Sequence, residues 1–210
     1  HDLARRQRQM CIRDRIRAAA DSGVSMLGIK LIHRQGYFRQ QLGKDGKQSE
    51  RDAPWSPEGE LEELSHRVTV FIEKRPVVIR AWKHWVSGLT GRVPVFLLDS
   101  DLPENAESDR KLTDKLYGGD QHYRLRQEII LGIGGIRMLR ALGFQEIDRY
   151  HMNEGHSAFL ALELLDESAI LHGRASFTHE DIEMVRKKCV FTTHTPVAAG
   201  HDQFPLAMVK

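Results

Sequence analysis

YHMNEGHSAFLALELL (Tyr150–Leu165) and THEDIEMVRKKCVFTTHTP (Thr178–Pro196) decide the fold class. In the first run a short strand over residues 147–152 gives way at Gly155 to a helix reaching Leu165. Ala158, Ala161, Leu162 and Leu165 are placed on one face of that helix. In the second run Thr178, three residues ahead of Asp181, opens a helix to about Lys188, and Cys189-Val-Phe-Thr-Thr193 reads as another strand. Strand, helix and strand joined by short links imply parallel pairing and right-handed crossovers, hence an α/β fold.

That topology makes a prediction about chemistry. Parallel strands end on the same edge of their sheet, and open α/β sheets bind ligands there. Two polar clusters follow the two strands: His151-Met-Asn153-Glu154-Gly155-His156, and Thr192-Thr193-His194-Thr195-Pro196 with His201-Asp202 close behind. Asn153, Glu154 and His156 offer donors and acceptors at a helix start, which suits hydroxyl-rich ligands or anions. Gly155 lets a ligand approach the backbone. Taken singly, Asn153 and Glu154 read equally as helix caps, and His194 as a core histidine. Two such clusters on successive strand ends favour a site.

Upstream, Gly23–Leu31 reads as a buried strand. Residues 43–57 read as an exposed loop with a turn at Asp45-Gly46. Val68–Ile72 and Val77–Ile79 flank Glu73-Lys-Arg-Pro76 as a hairpin, and Val93–Leu98 is a buried strand. A short helix is expected near Asp109–Leu116. A long one follows, with Leu125, Ile129, Gly132, Ile136 and Leu139 on one face and Gly143 at its C-terminal end. Asp120 is a candidate N-cap. Arg124 and Glu128, four apart, read as a surface ion pair.

Composition narrows the function classes. The chain has 210 residues, 31 Lys+Arg against 29 Asp+Glu, and 40% hydrophobic residues. The near-zero balance supplies no electrostatic footprint for nucleic acid or an anionic membrane. No apolar run approaches the roughly 20 residues of a membrane helix. Cys11 and Cys189 do not make a disulfide framework. A cytoplasmic location is expected by elimination. The arginine-rich opening, residues 1–17, has no clear periodicity and is expected to be a non-native or disordered lead-in. His151, Glu154 and His156 superficially match the H-x-x-E-H zinc pattern, but Gly155 breaks its register. Gly132, Gly134 and Gly135 lie inside a helix rather than after a strand, against a dinucleotide loop.

Several runs resemble the α-glucan phosphorylases, in particular their shorter bacterial and archaeal branch. They are HRQGYFRQQLGKDG (His33–Gly46), VPVFLLDSDLPEN (Val93–Asn105), LTDKLYGGDQHYRLRQEIILGIGGIRMLRALG (Leu112–Gly143), YHMNEGHSAFLALELL and FTTHTPVAAGHDQFP (Phe191–Pro205). The resemblance spans roughly residues 18–210. It implies that residues 18–210 are an incomplete N-terminal lobe, Rossmann-like with a β-hairpin or extended insertion, of a two-lobed GT-B glycosyltransferase. The C-terminal cofactor lobe is then absent. The implied reaction is phosphorolysis of α-1,4-glucan by inorganic phosphate to glucose 1-phosphate, with retention. The implied cofactor is pyridoxal 5′-phosphate, whose lysine belongs beyond Lys210, and a homo-oligomer is conceivable at full length.

By the same resemblance, His194 matches the histidine beside the bound glucosyl unit and takes the catalytic position, with Thr195 next to it. Asn153, Glu154 and His156 match the loop near the glucan subsites, and Asp120 falls in the gate loop over the cleft. Glu154 stands where many relatives have Asp. The lead-in occupies the place of a glycine-rich loop, and Ile29-Lys30 interrupts a run that is usually more apolar. The chain alone is therefore expected to be inactive. A stand-alone glucan-binding module and a metal-dependent hydrolase are the alternatives.

Overall fold

A computed structural model of the chain describes residues 2–35, 39–51, 55–116, 119–193 and 202–209. It is a mixed α/β structure in which one long helical rod packs on two of the three sheets among the described residues. The chain opens with α1 (Asp2–Asp21), so the lead-in is helical, and Ala19 and Ala20 at its end are buried. Gly23, at φ +65°, stops this helix, and the Val24 amide closes back on the Ala19 carbonyl at 2.9 Å. This turn explains why the expected strand is short: β1 covers only Gly28–Leu31, and Val24 and Met26 are exposed.

The expected exposed loop is partly ordered as the second half of a small antiparallel hairpin: β2 (Arg39–Leu42) precedes it and pairs with β3 (Gln48–Arg51) within it, turning at Gly46. The second hairpin is longer than its apolar residues indicated: β4 (Glu62–Ile72) pairs with β5 (Arg75–Ser87). Only Glu73 and Lys74 separate these strands, both at positive φ, the sign required by the turn that matches strand twist. With β6 (Arg92–Asp99) the main sheet has the order β1-β6-β5-β4, in which β1 and β6 are parallel and the other pairs antiparallel.

After the short α2 (Glu107–Arg110) comes the rod: α3 (Gln121–Ile129), a π-helical turn (Ile130–Gly134) and α4 (Gly135–Ala141). Gly143 at φ +90° ends it, as expected. The rod serves both sheets. Ile130 and Met138 join the core of the main sheet with Val70, Ile79 and Leu98, whereas Ile136 packs with Tyr150, Met152, Leu160 and Leu164.

The second sheet is the predicted parallel pair, β7 (Tyr150–Asn153) with β8 (Cys189–Thr192). A 3₁₀ turn (Gly155–Ser157), α5 (Leu160–Leu171) and α6 (His179–Lys188) connect them. Thr178 and Asp181 cap α6 reciprocally, which fixes its start. The buried face of α5 agrees with the expected one at Leu165 and at Ala161, which packs on the same core, and differs at Ala158 and Leu162, which are exposed while Leu160 and Leu164 point inward, since α5 starts only after the 3₁₀ turn. Two arginines on α4 tie the layers. Arg137 grips Glu163 through Nε and Nη2 at 2.6 and 2.9 Å and reaches the Thr69 carbonyl at 2.8 Å, and Arg140 holds Glu167 and the Tyr150 hydroxyl.

At the end of β6, the fully buried carboxylate of Asp99 accepts from Arg34 Nη2 (2.7 Å), Arg80 Nε (2.8 Å), Trp82 Nε1 (2.9 Å) and the Asp101 amide (3.0 Å). Burial alone would raise its pKa, but the hydrogen bonds, first that from Arg34, hold it below the usual carboxylate range. Replacing Asp99 by Ala strands two guanidinium groups and the indole N–H. We expect a loss of about 3–5 kcal/mol in unfolding free energy, read by urea denaturation; a loss within experimental error of zero would contradict this account.

A Cβ on Gly132 would lie 2.7 Å from the Leu160 amide nitrogen and 2.9 Å from the Phe159 carbonyl carbon, both backbone atoms, whereas one on Gly135 meets only the Ile29 Cγ2 at 3.3 Å. Gly132→Ala is expected to cost about 1–3 kcal/mol by forcing the rod away from α5. Gly135→Ala should stay within about 1 kcal/mol of the parent, since the gain in helix propensity offsets the contact. Equal effects in the same denaturation experiment would refute the packing assignment.

Candidate functional site

The register of the second sheet places Asn153 opposite Thr192. The ends of both strands, where the two polar clusters begin, therefore lie at one rim, as the strand–helix–strand reading required. The Glu154 amide donates to the Thr192 carbonyl at 2.8 Å, and the His151 Nε2 lies 2.6 Å from the Thr192 hydroxyl. The beginning of the second polar cluster is thereby fastened to the first. His194, Thr195 and His201 lie outside the described residues.

Glu154 is the most unusual residue of the rim. It is fully buried, and its φ of 60° with ψ of −163° falls in a region used essentially only by glycine. Such a conformation costs of order 1–3 kcal/mol and persists only where the surroundings impose it. Here the Thr192 carbonyl on one side and the 3₁₀ turn on the other fix the peptide. Asn153 beside it has a buried Oδ1 with no hydrogen-bond partner among the described residues. A buried acceptor left open in this way is what a donor on a ligand or a water would complete. His156 is partly exposed on the turn itself.

From the main sheet, the chain leaving β1 brings His33 to the same rim. Its φ is +53°, its amide donates to Thr113, and its carbonyl accepts from Trp55 Nε1 at 2.9 Å. Burial lowers its pKa to about 3, helped by the charges of Lys30 and His156 and opposed by the Lys115 carbonyl. His33 is thus a neutral imidazole at neutral pH. Its Nδ1 is buried and has no hydrogen-bond partner among the described residues.

The third contributor is α3, which packs against the 3₁₀ turn. Asp120 caps it, accepting from the Tyr123 amide at 2.9 Å. Arg124 and Glu128 do not form the surface ion pair expected from their spacing. Arg124 Nη1 reaches across to Asp202 Oδ1 at 2.9 Å, and Glu128 is buried with 7% of its surface exposed. Burial pushes the Glu128 carboxyl up to about 8, the charge of Asp202 adds to the shift and Arg124 opposes it. Gln121 Nε2 also donates to the Gln203 carbonyl at 3.2 Å. Sequence reasoning placed Asp202 close behind the second polar cluster but missed His33 and Glu128 as neighbours of this rim. The missed signal was Glu128 itself, a carboxyl among the apolar positions of the rod.

The geometry bears on the cofactor and metal readings. His151 is engaged with Thr192 and with Arg15 Nη1 at 3.0 Å, and it alternates along β7 with the buried Met152. Among the described residues no group of three or more His, Cys, Asp or Glu is placed to hold a metal ion. Pyridoxal phosphate would need a lysine amine and a cradle of free backbone donors for its phosphate. The N-terminus of α3 is instead taken by the Asp120 carboxylate, which repels a phosphate. The start of α3 does not fit that group.

Glu128 makes stability depend on pH. In the unfolded chain its carboxyl loses its proton near the ordinary value of 4.5, in the folded chain near 8. The stability associated with the protonated form is complete below pH 4.5 and is lost as pH rises through 8. Glu128→Gln should melt close to the parent at pH 5 and above it at pH 8.5, by roughly 2–4 °C for each kcal/mol recovered. Identical melting at both pH values would show the carboxyl is solvated.

No protein-family model matches the chain. Among curated proteins it is 43% identical over 211 residues to the glycogen phosphorylase of Mycobacterium tuberculosis, covering 94% of this chain and 24% of that protein. It is 40% identical over 204 residues to the maltodextrin phosphorylase of Thermococcus litoralis, covering 94% and 24%. It is 29% identical over 204 residues to the glycogen phosphorylase of Aquifex aeolicus, covering 94% and 28%. The chain spans about a quarter of the length of these relatives. Over that quarter, it is homologous to the glycogen and maltodextrin phosphorylases.

Proposed function

We propose that the chain forms the sugar-binding side of an α-glucan phosphorylase site, in one lobe of a GT-B arrangement, and that its ligand is an α-1,4-glucan. The observation that supports this is the register of Asn153 against Thr192, which brings the strand ends that begin the two polar clusters to one rim. Asn153 offers an open amide oxygen, and a neutral His33 offers a further hydrogen-bonding atom without net charge. Neutral donors and acceptors in a partly buried setting suit sugar hydroxyls. His194 and Thr195 take the place beside the terminal glucosyl unit by family resemblance, with Asp120 at the cleft entrance. Phosphate would attack the anomeric carbon of that unit and release glucose 1-phosphate. Pyridoxal phosphate and the residues that hold it would come from sequence other than the described residues.

Isothermal titration with maltoheptaose tests the reading. The chain should bind it saturably and release no glucose 1-phosphate when phosphate is added. Asn153→Ala and His156→Ala should each weaken binding about tenfold, the scale of roughly 1.4 kcal/mol. Absence of saturable binding would refute the carbohydrate assignment, and turnover by the chain alone would refute the division of labour.

A further inference from the structure

Two buried polar atoms at the rim have no hydrogen-bond partner among the described residues, and they come from different layers: Nδ1 of His33, just past β1, and Oδ1 of Asn153, at the end of β7. His33 lies near enough to His156 for their charges to interact, so the two layers meet here.

The backbone around His33 is held firmly. The Ile32 amide donates to the Leu98 carbonyl at 3.0 Å, the His33 amide to the Thr113 carbonyl at 2.9 Å, and the His33 carbonyl accepts from Trp55 Nε1 at 2.9 Å. Arg34, the next residue, is fixed by Asp99. A φ of +53° is uncommon for a residue with a side chain, and His, Asn and Asp tolerate it best. The scaffold therefore places the imidazole before any ligand arrives, which lowers the cost of binding. The Lys115 carbonyl favours a proton on the ring. With Nδ1 unpartnered among the described residues, that proton belongs on Nε2, and Nδ1 is left as an acceptor. The oxygen of Asn153 is an acceptor too. A ligand that completes both must bring two donors. Sugar hydroxyls supply them, whereas the oxygens of a phosphate dianion or a carboxylate do not.

We propose that His33 is a specificity-determining residue: its Nδ1 accepts a hydrogen bond from a hydroxyl of the sugar that Asn153 also holds, so that the rim selects neutral, hydroxyl-bearing ligands over oxyanions. The inference rests on the carbohydrate reading and adds to it a contact from the main sheet.

Two substitutions separate the ring nitrogens. Asn puts its amide where Nδ1 lies and tolerates the positive φ, whereas Gln reaches toward the place of Nε2 and leaves that of Nδ1 empty. In calorimetric titrations of the full chain with maltoheptaose, His33→Asn should bind within about threefold of the parent and His33→Gln about tenfold more weakly. A role confined to the Lys115 contact would reverse that order. A further measurement needs no variant: inorganic phosphate in excess, at constant ionic strength, should leave the parent's affinity for maltoheptaose unchanged. The reverse order, equal binding by both variants and the parent, or competition by phosphate overturns the proposal and leaves the carbohydrate reading standing. A parent that takes up no maltoheptaose overturns the carbohydrate reading, and the His33 contact falls with it.

Discussion

The close approach of the rod to α5 at Gly132 constrains everything around the site. The rod has to satisfy two cores at once, one under the main sheet and one under β7 and β8. It does so by bringing its own backbone within reach of the first residues of α5, where there is no room for a side chain. A regular α-helix would carry its contact residues past both cores with one fixed phase. The π-helical turn over Ile130–Gly134 inserts a residue into that phase and lets Ile130 and Ile136 face different layers. Once the rod and α5 are fixed together, the 3₁₀ turn between β7 and α5 has little freedom left, and Glu154 is held in a conformation it would not choose alone.

The same docking sets the charge states. His33 arrives from the main sheet and Glu128 from the rod; burial shifts both, with Lys30 and His156 adding to it at His33 and Asp202 at Glu128. An imidazole driven to its neutral form and a carboxyl driven to its protonated form are the two cheapest answers to burial without a partner of opposite charge. Asp99 shows the other answer. It stays ionised because the half-buried Arg34 and Arg80 donate to it, and Trp82 completes its hydrogen bonds. The structural hub is thus charged and saturated, whereas Asn153 and the neutral His33 at the rim keep polar atoms open, a contrast that separates scaffold from candidate site.

Much of this was legible along the chain. The strands and helices from Tyr150 to Thr192 follow from apolar runs, the Thr178/Asp181 cap and short links, and parallel pairing follows from their order. The hairpin of β4 and β5 follows from its β-branched residues. What could not be read depends on partners distant in sequence. The spacing of Arg124 and Glu128 describes an exposed helix well, but nothing local says that Asp202 will take the arginine and leave the glutamate buried. The inward face of α5 was misplaced at Ala158 and Leu162 because α5 starts only after the 3₁₀ turn, and a period of 3.6 counted from Gly155 carries the wrong origin. Gly23 was read as part of a strand when its role is to end a helix. His33 carries no motif at all, and its neutrality comes from Lys30, His156 and burial together.

The site is assembled from positions near 33, 128, 154 and 202, which share no local structure. None of them approaches its neighbours until the rod has docked on both layers. Ligand affinity at such a rim is therefore coupled to docking: any opening of the second layer from the rod separates His156 from His33 and Asp202 from the turn at once. Local opening of this kind costs less than global unfolding and is set by the contacts that break. Arg137 and Arg140, which bind Glu163 and Glu167 across the layer boundary, lie far from the rim yet oppose that opening. A ligand that bridges the two layers would oppose it too, so binding and layer docking should reinforce each other.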